Sequence, residues 1–136
     1  MEINQGVVSQ KVQCRKCGSV FTISPTNITF DKRFEDVSGR SILVTYFDCP
    51  DCQERHYVQI DDTHSREIKK KVTKMFAKLS VLKNKNISIP RQQQNKFNGL
   101  RQALIMSRQK LMKQYDGSIV TDTETGETIT LNFTMI

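Results

Sequence analysis

Four cysteines in two pairs, Cys14–Cys17 and Cys49–Cys52, are the residues whose types and spacing best support chemistry, and they are all the cysteines of the 136-residue chain. Two residues between thiolates let one tight turn aim both sulfurs at a common point. Two such turns facing each other build the closed tetrahedral S4 site that zinc prefers. Gly18 follows the first pair, where the backbone often needs positive φ. Pro50 presets φ at the start of the second turn. The competing chemistry is two disulfides, which belong to secreted chains. The opening Met1-Glu2-Ile3-Asn4-Gln5 has neither the charged n-region nor the apolar core of a signal peptide. The expectation is one structural Zn2+ held by Cys14, Cys17, Cys49 and Cys52. Four thiolates leave no open coordination position, so the metal holds the fold and does no catalysis. His56 could replace one thiolate, but with four cysteines present it reads as an ordinary strand residue.

No catalytic set is visible. The chain has no Gly-x-x-x-x-Gly-Lys-[Ser/Thr] loop, no His-Glu-x-x-His and no Gly-x-Ser-x-Gly. With two histidines and every cysteine committed, the usual nucleophile–base pairs are missing, so the chain is not expected to be an enzyme.

The segments around the pairs must position them. Val12 on one side of the first pair, and Ser19, Phe21 and Ile23 on the other, read as the arms of a short hairpin. Ile42–Phe47 and His56–Ile60 are β-rich arms around the second pair. Residues 10–61 thereby resemble the zinc-ribbon class in its Cys-x-x-Cys-Gly … Cys-Pro-x-Cys form. The 31 residues between Cys17 and Cys49 make a longer insert than compact ribbons carry, so it should hold a loop or an extra strand. Ile28-Thr29-Phe30 reads as that strand, and Ser38-Gly39 as a turn. Asp31, Lys32, Arg33, Glu35 and Asp36 mix both signs and read as a solvated connection. Residues 1–9 are polar and without periodicity, an arm that orders on contact.

At Asp61-Asp62-Thr63-His64-Ser65 the pattern becomes helical, with capping residues and acids at the positive end of the helix dipole. Ile68, Val72, Met75, Phe76, Leu79 and Leu82 then mark one apolar face, predicting a helix over about 65–83. Ser88-Ile89-Pro90 starts a second helix. Its apolar face is Phe97, Leu100, Leu104, Leu111, Met112 and Tyr115, and Asp116-Gly117 ends it. Arg108 breaks that face, so it either snorkels or pairs with an acid from elsewhere. Ile119-Val120-Thr121 and the alternating Ile129, Leu131, Phe133 and Met135 read as a terminal β-hairpin. Such a hairpin is marginal alone and must join a sheet, cover the helices or pair with a neighbouring chain. The expected fold is α+β in three parts: an N-terminal four-cysteine zinc ribbon with its arm (1–62), an antiparallel basic helical hairpin (63–117) and a C-terminal β-hairpin (118–136).

Charge points to the partner. Residues 65–115 carry fourteen Lys and Arg and a single acid, Glu67, within a chain of net +7. Lys70, Lys71, Lys74 and Lys78 fall on one flank of the first helix, with Lys69 nearby. Such a surface attracts polyanions, each phosphate contact releasing a condensed counterion. An ordinary solvated face would intersperse both signs for i,i+4 pairing. Arg15 and Lys16, at the tip of the first cysteine turn, extend the candidate phosphate-binding set. Tyr46, Phe47 and Tyr57 could stack on bases or be sheet core. A basic amphipathic helix can also lie on anionic lipid, but the chain lacks Trp and its second helix is of a packing type. No apolar run approaches the roughly 20 residues of a membrane span.

These readings predict a small non-enzymatic zinc protein that associates with the nucleic-acid phosphate backbone inside a larger assembly. It should work in a reducing intracellular compartment, away from membranes. The compact Lys- and Asn-rich chain also resembles small phage-encoded zinc-ribbon proteins. That resemblance implies an alternative: a structural or adaptor component of a virion, binding protein neighbours or itself through the helices and residues 118–136.

Overall fold

The computed structural model describes residues 10–133, and the N-terminal arm and Met135 lie outside that range. The chain divides into two compact units, Met1–Ile60 with Tyr115–Ile136, and Asp61–Gln114.

The first unit contains two sheets. Strands β1 (Gln10–Gln13) and β2 (Val20–Ile23) pair antiparallel, with Val12 opposite Phe21. Strands β3 (Ile28–Glu35), β4 (Ser41–Asp48), β5 (Arg55–Asp61), β6 (Ile119–Asp122) and β7 (Thr128–Thr130) form a five-stranded sheet in the order β5-β4-β3-β6-β7. Beyond β7, Phe133 makes a single parallel bridge to Tyr57 of β5. Phe34, Ile42, Val44, Ile60, Val120 and Leu131 are almost fully buried and form the centre of this unit's core. The near-continuous burial of Ile42–Phe47 explains why β4 reads as an apolar run and not as an alternation.

This topology corrects the three-part architecture. The chain is not an N-terminal zinc ribbon followed by a helical hairpin and a separate C-terminal β-hairpin. β6 pairs antiparallel with β3 (Phe34 opposite Asp122, Glu35 opposite Thr121), so strands from both ends of the sequence complete one sheet. The first cysteine turn meanwhile sits on a different, two-stranded sheet. The departure begins in the insert, where the charged stretch 31–36 reads as a connection. It is instead most of β3, the central strand. A register shift between Thr29 and Lys32, with Asp31 at φ 52°, reverses the side-chain phase. Phe30 therefore points outward while Phe34, four residues on, is wholly buried. That phase change erases the period-two signal. Once β3 exists, its free edge supplies the hydrogen bonds a terminal hairpin needs.

The second unit is a pair of helices, α1 (Thr63–Asn84) and α2 (Arg91–Tyr115, the last residue belonging to the first unit). Asp62 caps α1 through the Ser65 N–H at 2.8 Å, and the Ser65 hydroxyl receives the Asp62 N–H at 2.9 Å. At the other end, Asn86 takes φ 58°. The Ile87 N–H reaches Leu82 O and the Asn86 N–H reaches Lys83 O, the paired bonds of a Schellman motif. Arg108 resolves its anomaly by pairing bidentately with Asp61 at 2.8 and 3.0 Å. The ring of Phe76 lies 6.3 Å from that of Phe97. Contacts 61–108 and 76–97 run in opposite senses along the sequence, so the helices are antiparallel. Among the described residues no helix is long and apolar enough to cross a membrane.

Candidate metal centre

Each cysteine pair lies in a turn between two strands, the first between β1 and β2 and the second between β4 and β5. The two turns repeat one backbone pattern. The Cys14 N–H donates to Ser19 O at 2.8 Å and the Gly18 N–H to Cys14 O at 2.9 Å. Correspondingly, the Cys49 N–H donates to Glu54 O and the Gln53 N–H to Cys49 O, both at 2.9 Å. The residue after each second cysteine turns left-handed, Gly18 at φ 76° and Gln53 at φ 66°. The glycine signal was legible; its non-glycine counterpart was not.

The turns meet. The four sulfurs all lie within 4.8 Å of one another, with Cys14–Cys52 and Cys17–Cys49 each at 3.6 Å. These separations are far beyond a disulfide bond. They bracket the edge of a tetrahedron of sulfurs around zinc, about 3.8 Å for a metal–sulfur distance of about 2.3 Å. Cys14 and Cys49 are buried, Cys52 is half-buried and Cys17 is exposed. The donor set therefore fits a four-coordinate metal ion and leaves no position for a substrate. Polar links tie the turns together: the Ser19 hydroxyl donates to the Asp51 carboxylate, and Lys16 Nζ stands 3.8 Å from Glu54.

The thiols differ in acidity without a metal. The N–H of Cys17 is the strongest influence on Cys14 and outweighs burial. With help from the Lys16 N–H and the His56 imidazole, it lowers the pKa to about 6. At Cys52 the Glu54 N–H pulls down, but burial and the surrounding sulfurs together push the pKa up to about 12. Packed thiols give up their later protons reluctantly, and a divalent cation removes that obstacle.

His56 borders the sulfur cluster from β5. It is only 8% exposed, stacks on Phe47 (5.0 Å between centroids, 21° between planes), and its Nε2 is buried without a hydrogen bond among the described residues. The imidazole is nonetheless among the groups drawing Cys14 down. It stands beside the sulfurs and is not one of the four clustered donors. His56 and Tyr57 are both buried on β5, so alternation does not place the imidazole, and only its distance of four residues from Cys52 hinted at the neighbourhood. Tyr46, Phe47 and Tyr57 are buried core and are not available to stack on bases. Arg55 instead lies 4.0 Å above the Tyr46 ring and 3.1 Å from Asp48.

The candidate phosphate-binding residues divide between the two units. Arg15 and Lys16 are exposed at the first cysteine turn. Lys70, Lys71, Lys74 and Lys78 are exposed on α1, where Lys70 approaches Glu67 at 3.6 Å; Lys69 is half-buried. Residues 61–114 hold fourteen basic and three acidic side chains, net +11, and the remainder holds seven and eleven, net −4. Comparisons with protein-family models, curated proteins and solved structures found no match, so the functional reading rests on these residues alone.

Proposed function

We propose that this chain is a non-enzymatic protein stapled by one zinc ion, which associates with nucleic acid through phosphate contacts of its helix unit, inside a larger assembly. The observation that carries the reading is the segregation of charge: net +11 in residues 61–114 against −4 elsewhere. A solvated helix face would show compensating acids, whereas Lys71, Lys74 and Lys78 have no carboxylate partner among the described residues. Zinc is the ion favoured by four thiolates in a closed tetrahedral arrangement. Arg15 and Lys16 extend the phosphate-binding set on the other unit.

The test is binding of a random-sequence duplex followed by fluorescence anisotropy from low to moderate salt. Affinity should fall steeply with salt, and replacing Lys70, Lys71, Lys74 and Lys78 by Gln should reduce the log–log slope by about 3 to 4. No binding at low salt would remove the reading. A second reading, a structural or adaptor component of a viral or phage particle, is favoured by the exposed apolar side chains Phe76, Val81, Ile105 and Met106. Co-purification of discrete protein oligomers free of nucleic acid would select it.

A further inference from the structure

Phosphate binding leaves one feature of the helix unit unused. Between α1 and α2 runs an open groove of about 280 Å³, lined by Phe76, Leu79, Ile89 and Phe97, with Lys83 at its edge. Phe76 sits on the face of α1 that meets α2, yet 60% of it is exposed. Arg101 lies 5.7 Å over the Phe97 ring. Neither Lys83 nor Arg101 has a carboxylate partner among the described residues. The groove thus has a largely apolar lining with Ser80, Gln94 and Asn98 among it, one uncompensated cation on its rim, Lys83, and a second, Arg101, beside the ring of Phe97.

We infer that this groove is a docking site for an acidic amphipathic helix of another protein. Apolar side chains one turn apart would fill the space beside Phe76 and Phe97, and flanking carboxylates would meet Lys83 and Arg101. The charge argues for this occupant over the others. A second copy would bring its own +11 unit against the same rim. Nucleic acid has the right charge but no aliphatic side chain to cover Phe76. The groove is also separate from the lysine flank: at about 100° per residue, Lys70, Lys71, Lys74 and Lys78 lie more than 100° around α1 from Phe76.

The experiment uses the full metal-loaded chain and a fluorescein-labelled peptide of about four helical turns, Glu-rich with Leu and Phe at i and i+4. A scrambled peptide of the same composition is the control. Micromolar binding of the patterned peptide is expected, weakened about tenfold by Phe76→Ser and by the pair Lys83→Glu and Arg101→Glu. Both variants should keep the helical circular-dichroism signal, and Phe76→Ser should keep duplex affinity. Replacing Lys70, Lys71, Lys74 and Lys78 by Gln should do the reverse, lowering duplex affinity and sparing the peptide. Equal binding of the scrambled peptide, or indifference to Phe76→Ser, would overturn the inference. So would a dimer that Phe76→Ser dissociates, since the groove would then belong to a second copy.

Discussion

In the sheet unit, six apolar side chains from Phe34 to Leu131 are exposed by no more than 1%. In the helix unit, the best-buried apolar residues are Leu111, Leu79 and Leu104, at 5, 7 and 8%. The sheet unit joins apolar burial to a four-cysteine cluster that could hold a metal ion and carries net −4, which a zinc tetrathiolate would take about two units lower. The helix unit carries +11 and is fastened by polar devices: the Asp61–Arg108 pair, the Asp62–Ser65 capping box and the Asn86 terminus. The contrast lies in depth of burial and in charge. Each unit exposes large apolar side chains, Val37 and Val20 in one and Phe76 and Met106 in the other, but only the helix unit combines them with a strongly cationic surface.

The largest expected effect tests the metal's share. Chelation, or Cys49→Ser, should abolish the cooperative melt of the sheet unit, a structural metal contributing on the order of 10 kcal/mol in small modules. Near-ultraviolet circular dichroism reads this unit through Tyr46, Tyr57 and Phe47, and the far-ultraviolet helical signal should change far less. An unaltered melt in metal-free protein would end the comparison. Next, Arg108→Met takes the guanidinium from the buried Asp61 carboxylate, which keeps the Ser65 hydroxyl at 2.9 Å, and should lower helix-unit stability by about 3 kcal/mol in urea titrations. Adding Asp61→Leu should recover part of that loss, because the uncompensated buried charge is then gone.

A smaller effect lies at Asp36. Burial pushes its pKa up, but the Tyr115 hydroxyl at 2.6 Å, the Ser38 hydroxyl and the Arg40 and Ser38 N–H groups win, holding it at about 2. The folded pKa lies below the unfolded one, so this stabilisation is present above about pH 4 and drains away as pH falls toward about 2. Discounted for solvent screening it is about 1 kcal/mol. Asp36→Asn should flatten that part of the acid-unfolding curve; an unchanged curve would deny the carboxylate its role. The smallest change is Gln53→Gly, which relieves a left-handed residue and should raise the melt of the sheet unit by about 0.5 to 1 kcal/mol. Gly18→Ala should lower it by a similar amount, since the two turns share one backbone pattern.

The cysteine spacing, the helix caps and the stops were legible because each is a local rule about a few neighbouring residues. Ser65 and Gly117 announce themselves wherever they stand. The pairing of β3 with β6 was not legible, because it joins residues 88 apart in number, Phe34 and Asp122, across both helices. The bulge at Asp31 hid β3 by changing phase midway. Arg108 was visible as a misfit, but its partner Asp61 lay 47 positions away and required the antiparallel turn to find it. The Gln53 conformation had no local signal, since only symmetry with Gly18 explains it.

The pairing of Phe34 with Asp122 also dictates an order of assembly during synthesis. Both cysteine turns and both helices are synthesised before β6. The central strand β3 must therefore wait with one edge bare, and closing so long a loop is slow. Capturing the ion early would keep the nascent sheet from pairing with the wrong strand in the meantime.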